Sequence, residues 1–177
     1  MERDSLKDLL YCLSRFGLFW AISVFGVIMG RTAVLGVVGT LIPRLRLYDN
    51  EELLSLLSCI IPAIMLIALF ADDAKRHTAY RAYRPLFVTC TMLVTGIIYY
   101  IPAVVAGYLT EDLAVEAITG IYFTSYWLSF VSEQLEVYAL LGTIFWVALC
   151  ILTYVIARRI YLHKFENGEY EYEVDAF

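Results

Sequence analysis

The stretch Leu86–Thr110, LFVTCTMLVTGIIYYIPAVVAGYLT, carries no charged residue, and its reading decides the fold. At 1.5 Å per residue a helix of that length reaches about 37 Å, more than the roughly 30 Å hydrocarbon layer of a bilayer. A helix of a soluble domain turns one face to water and breaks such a run with charge. Two further charge-free runs, Leu53–Ala71 and Val137–Ala157, have the length of about 20 residues that a span requires. A fourth, Phe16–Gly30, is shorter and is interrupted by Arg31, beyond which Thr32–Pro43 is apolar again. The composition agrees, with 61% hydrophobic and 18% charged residues and a mean hydropathy of +0.71. The expected fold is all-α, a polytopic membrane protein with four transmembrane helices at about 16–36, 53–71, 86–109 and 137–158. They form a single membrane domain over residues 1–165.

Charge sets the expected orientation. Between Arg84 and Arg158 there is no lysine or arginine, yet Glu111, Asp112, Glu116, Glu133 and Glu136 all fall there. Basic clusters flank the stretch: Lys75, Arg76, Arg81 and Arg84 on one side, Arg158, Arg159 and Lys164 on the other. Juxtamembrane lysine and arginine mark the cytoplasmic side, so the pattern predicts a multi-pass protein of the cell membrane with both termini cytoplasmic. Arg44 and Arg46 in the first outer loop dissent, beside Asp49, Glu51 and Glu52. Residues 166–177 read as an acidic cytoplasmic tail, with Glu166, Glu169, Glu171, Glu173, Asp175 and no base. The body without it is electrically balanced, which gives no support to nucleic-acid binding.

Local signals refine the helices. Ser5-Leu6-Lys7-Asp8 resembles a capping box, and Leu6, Leu9, Leu10 and Leu13 recur at helical spacing. Ser5–Arg15 therefore reads as an N-terminal amphipathic helix on the cytoplasmic face, or else as the first turns of the first span. Arg31 allows two solutions: the helix stops near Leu35 and Arg31 snorkels, or it runs to Ile42 and Arg31 is buried with a partner. Gly26 and Gly30 fit a small-xxx-small packing motif. Asn50 with Glu51 and Glu52 caps the second span, Pro62 should kink it, and Pro85 opens the third, which contains Pro102. The fourth should end in a left-handed cap at Asn167-Gly168. The first residues mix acids with bases and lead to no small-residue cleavage site, unlike a cleaved leader.

Candidate functional residues fall in two places. Ala117–Val131 is charge-free and too short to span, so it reads as an outer-face interfacial or re-entrant helix. On such a helix Ser125, Ser129, Ser132 and Glu136 would share a polar face. That face, with Arg31 and Glu133, is the candidate ligand- or partner-facing set, or simply the polar side of a helix lying in lipid. Lys75, Arg76, Arg81 and Arg84 in a 72–85 loop are the candidate site for anionic lipid or a cytoplasmic partner. Asp72, Asp73 and His77 supply too few ligands for a zinc site, and the four cysteines make no C-x-x-C pair. No cofactor, metal or catalytic constellation is expected, and no Asp, Glu or His falls within the four expected spans. Residues 169–177 alternate acid with apolar side chains, as a disordered tail or as a strand that adds to a partner. A hairpin at Asn167-Gly168 pairing the tail with Tyr161–Phe165 is the further alternative. The expected function is a non-enzymatic accessory subunit or scaffold of a membrane transport or envelope complex, contacting the bilayer and other subunits or its own copies. The alternative is a small oligomeric transporter or channel.

Overall fold

Pro62 has no N–H to donate to the carbonyl of Ser58, and the second apolar run divides at that point. In the computed structural model, which describes residues 2–80, 85–109 and 112–170, it forms α3 (Glu51–Ser58) and α4 (Ile60–Ala79) with Cys59 as hinge. Asn50 caps α3 as expected, its Oδ1 accepting from the Leu53 N–H at 3.0 Å. The first helix, α1 (Glu2–Ala33), is unbroken, continues through a π turn at Val34–Val38 and ends in α2 (Gly39–Leu41). Ile42 leaves the helical region, as a residue preceding proline tends to. After Pro43–Leu45, Arg46 takes a left-handed φ of 45°, and Leu47 is buried with Val27, Val34, Leu54 and Phe123.

The third helix, α5 (Pro85–Ala106), starts on Pro85 and passes through Pro102 without a break. Then come α6 (Asp112–Ile121), a 3₁₀ segment at Phe123–Phe130, and α7 (Leu135–Glu166). α7 closes as expected, with Gly168 at φ 73° and the Glu169 N–H on the Lys164 carbonyl at 3.0 Å. Tyr161–Phe165 belongs to α7, so it pairs with no hairpin strand. The expected tail strand, apart from Glu169 and Tyr170, lies outside the described residues. All regular structure among the described residues is helical. Four helical stretches are long and apolar enough to cross a membrane: Leu6–Leu41, Glu51–Ala79, Pro85–Ala106 and Leu135–Glu166.

Named contacts give the bundle its order. Arg15 meets Asp73 while Gly30 meets Ser58, so α1 and α3–α4 run antiparallel. Cys12 meets Thr91 and Phe19 meets Tyr99, so α1 and α5 run parallel. His77 meets Tyr154 across parallel α4 and α7, and Gly96 faces Val147 across antiparallel α5 and α7. The ring is therefore α1, α4, α7, α5. One end, rich in bases, holds Arg15, Lys75, Arg76 and Arg158; the other, the acidic end, holds Glu51, Glu52, Glu133 and Glu136.

Two expectations change. Residues 5–15 are not a separate interfacial helix but the first turns of α1, which already begins at Glu2. The reason is polar: Tyr11 and Arg15 both bind Asp73, which holds this segment in line along α4, while Leu6, Leu9, Leu10 and Leu13 point outward. Asp72–Ala79, expected in a loop, continues α4, so Asp73 and His77 lie on a helix inside the bundle.

Candidate functional site

At the basic end three helices each contribute a polar pair spaced by four residues: Tyr11 and Arg15, Asp73 and His77, Tyr154 and Arg158. That spacing puts both members on one helix face, and the three faces converge. Arg15 grips Asp73 through two parallel bonds, Nε to Oδ2 and Nη2 to Oδ1, each 2.5 Å. The Tyr11 hydroxyl donates to the same Oδ2 at 3.2 Å, and the Arg15 guanidinium lies 4.8 Å from the Tyr11 ring centre. His77 Nδ1 is 2.9 Å from the Tyr154 hydroxyl, which accepts from Arg158 Nη1 at 2.7 Å. The His77 ring also packs 5.2 Å from that of Tyr11, which joins the two halves. Asp73 is 2% and His77 5% exposed, while Arg15 and Arg158 at the rim are partly exposed. Carboxylate and imidazole at such depth mark function or a specific packing register. Sequence reading by apolar runs missed it, because α4 and α1 extend past the charge-free stretches; the three matched four-residue pairs were the signal.

The second polar region lies at the acidic end. Its platform is the 3₁₀ segment Phe123–Phe130, braced on α3. The Ser55 hydroxyl donates to the Phe123 carbonyl and accepts the Trp127 N–H at 3.2 Å, while the Cys59 thiol donates to the Thr124 carbonyl at 2.7 Å. Tyr122 donates to the Tyr99 carbonyl, and Tyr99 donates in turn to the Ile121 carbonyl at 3.3 Å. Burial pushes the Tyr122 phenol well above the usual tyrosine range, and the neighbouring Tyr99 adds to the shift, so it serves as a neutral donor. Beside this platform opens a cleft of about 600 Å³ lined by Glu52, Tyr126, Ser129, Ser132, Glu133 and Tyr138. Ser129 donates to Glu52 Oε1 at 3.1 Å across it.

The expected serine face is thus partly assembled, by a different geometry. Residues 123–130 wind as a 3₁₀ helix of three residues per turn, so the α-helical spacing of Ser125, Ser129, Ser132 and Glu136 does not align them. Ser129, Ser132 and Glu133 do line one cleft. Ser125 is buried beneath it against Gly142, and Glu136 packs beside Gly107 at the end of α5. Of the aromatic residues in this segment Tyr122 and Phe123 are buried, while Phe130 is exposed. Arg31 lies apart, half-buried, its guanidinium carbon 4.5 Å above the Phe123 ring centre. Its helix runs on to Leu41 as in the second solution, but its partner is aromatic. At the basic end Lys75 lies over the Tyr170 ring at 5.3 Å, and Arg76 pairs with Asp72 in the open. Arg81 and Arg84 lie outside the described residues. Among the described residues no group of three His, Cys, Asp or Glu side chains is arranged to hold a metal ion. No family model matches the chain, and neither curated proteins nor solved structures give a match.

Proposed function

We propose that this protein is a non-catalytic integral membrane component, an accessory or scaffolding subunit of a larger membrane assembly. It lies in the cell membrane with both termini and the basic end on the cytoplasmic side. The observation that supports the reading is the braced cleft at the acidic end. Glu52 stands on α3, whose Ser55 together with Cys59 holds Phe123, Thr124 and Trp127 of the facing 3₁₀ segment, and Glu133 lies on the turn that follows it. A preorganised surface of this kind favours recognition. The chemistry it offers, two carboxylates with hydroxyls between them, suits a cationic segment of a neighbouring subunit.

The double variant E52Q/E133Q tests this. Purified in mild detergent, wild type should carry the same partner proteins in fixed ratio, and the variant should lose them while keeping yield and helicity. Equal recovery of partners by both proteins refutes the reading. Orientation is tested separately with an impermeant thiol reagent: Y108C should label on intact cells and K75C only after permeabilisation. The opposite pattern inverts the topology.

A second reading, a small oligomeric transporter or channel, draws on the buried Asp73 and His77, since ionisable groups inside a helix bundle are typical of solute and proton paths. It predicts solute flux in proteoliposomes that D73N abolishes at unchanged protein content.

A further inference from the structure

Arg31 is the one base of α1 that lies deep in the long apolar stretch at the acidic end, and its surroundings are built on two sides only. Below it lies the Phe123 ring, its centre 4.5 Å from the guanidinium carbon. Around it opens a cleft of about 340 Å³ lined by Val27, Ile28, Thr32, Leu35, Gly120 and Phe123. Among the described residues no carboxylate lies within ion-pair distance of Arg31. A β-carbon added at Gly120 would meet nothing within 4 Å, so the mouth of the cleft beside α6 is open. The walls on α1 are apolar and merge into its outward face, where Phe25, Ile28 and Met29 are more than half exposed.

Depth identifies what fills it. With Arg15 placed at the basic boundary, 16 residues of helix carry the chain about 24 Å from there to Arg31. The hydrocarbon layer is about 30 Å thick, so the Arg31 backbone stands just inside the opposite boundary and its long side chain reaches the phosphate level. A guanidinium whose carbon lies 4.5 Å from an aromatic ring centre, with no carboxylate beside it, has N–H donors left for an oxyanion, and the apolar groove beneath suits an acyl chain.

We propose that Arg31, Phe123 and the Val27–Leu35 flank form a binding site for one anionic phospholipid. The phosphate lies on the Arg31 guanidinium and an acyl chain along α1. A lipid without a headgroup cation is preferred, since a choline ammonium would compete for the phosphate and face Arg31.

The test uses the full chain, stripped of lipid in detergent and titrated with phosphatidylglycerol or phosphatidylcholine under native mass spectrometry. A single saturable phosphatidylglycerol adduct is expected. R31Q should weaken it about tenfold or more, the loss of one charge-assisted pair, and R31K, which keeps the charge without the fork, should fall between R31Q and wild type. Unchanged affinity in R31Q overturns the proposal. Wild-type protein also suffices alone: a phosphatidylglycerol with a photoreactive headgroup should label residues 27–35 or 120–123, and labelling confined to other segments overturns it. A dimer that R31Q dissolves, with no phosphatidylglycerol adduct on wild type, would assign Arg31 to a carboxylate of a second chain and overturn it equally.

Discussion

Removing Asp73 should be the most damaging single polar change in this protein. Its side chain is 3% exposed and that of Arg15 17%, so the pair belongs with buried ion pairs rather than with surface pairs worth about 1 kcal/mol or less. In D73L the Arg15 guanidinium loses both carboxylate oxygens and keeps the Ser14 hydroxyl at 3.3 Å, and the Tyr11 hydroxyl loses its bond to Asp73. Breaking one side of a buried pair costs about 3–5 kcal/mol, because the remaining charge has been taken out of water without compensation. R15M should cost less, since Asp73 keeps the Tyr11 hydroxyl. The double variant R15M/D73L leaves no buried charge in that pair, and apolar replacement of such a pair is often neutral. A double-mutant cycle should therefore give a coupling at least as large as the D73L cost, about 3–5 kcal/mol. The assay is unfolding of purified protein in mixed micelles with rising dodecyl sulfate, followed by helicity. A D73L cost below about 1 kcal/mol, with coupling near zero, would show that the pair behaves as an exposed one and refute the reasoning.

Four further outcomes follow from single contacts. In G30A the new methyl would drive into the Ser58 carbonyl, a rigid backbone atom, so a loss of about 1–3 kcal/mol is expected by the same unfolding assay, whereas G17A, which meets nothing within 4 Å, should lose nothing. S55A removes the hydroxyl that holds both Phe123 and Trp127, and should cost about 1–3 kcal/mol and shift the tryptophan emission. Y154F keeps the ring against His77 but deletes the hydroxyl between His77 and Arg158; a loss of about 1–2 kcal/mol is expected, and a melting temperature equal to wild type would count against the cluster. T143V should be neutral or stabilising by up to about 1 kcal/mol, because the buried Thr143 hydroxyl has no hydrogen-bond partner among the described residues.

The four long helices were legible because charge-free runs of span length admit few other structures, and Asn50, Pro85 and Gly168 marked ends that the fold uses. Two things hid the polar cluster. A scan by apolar runs stops at the first charge, so α4 was read as ending at Ala71, although Asp73 and His77 continue its buried face for two more turns. An isolated ionisable residue also says nothing of a partner on a helix far off in sequence. The serine cleft failed for a different reason. Its residues were placed on an α-helix, while the hydrogen bonds from Ser55 and Cys59 to the carbonyls of Phe123 and Thr124 hold that segment as a 3₁₀ turn. Tertiary contacts decided the local winding there, and no pattern within residues 117–131 encodes them.

The buried pair and the glycine notch carry one joint meaning. Apolar helices in lipid gain little from any one register, because lipid tails are as apolar as the helix faces, so close contacts and polar pairs must choose it. Between α1 and α3–α4 three such contacts fix the register, besides the Tyr11–Asp73 bond. Gly26 lies against the ring of Pro62, with an added β-carbon 2.8 Å from its Cβ, and Gly30 lies against the Ser58 carbonyl. That carbonyl is the one Pro62 leaves without an N–H from its own helix, so the kink and the notch are complementary: the bared oxygen needs a close neighbour, and only glycine lets α1 approach. Arg15 with Asp73 is the third contact. Arg15 and Gly30 are 15 residues apart, as are Ser58 and Asp73. Arg15 and Gly26 are 11 apart, as are Pro62 and Asp73. All three contacts therefore specify one antiparallel register, and a slip of one helical turn would break them together. The buried charges at the basic end thus need no solute path to account for them: they fix where α1 stops sliding, and so hold Arg31 over Phe123.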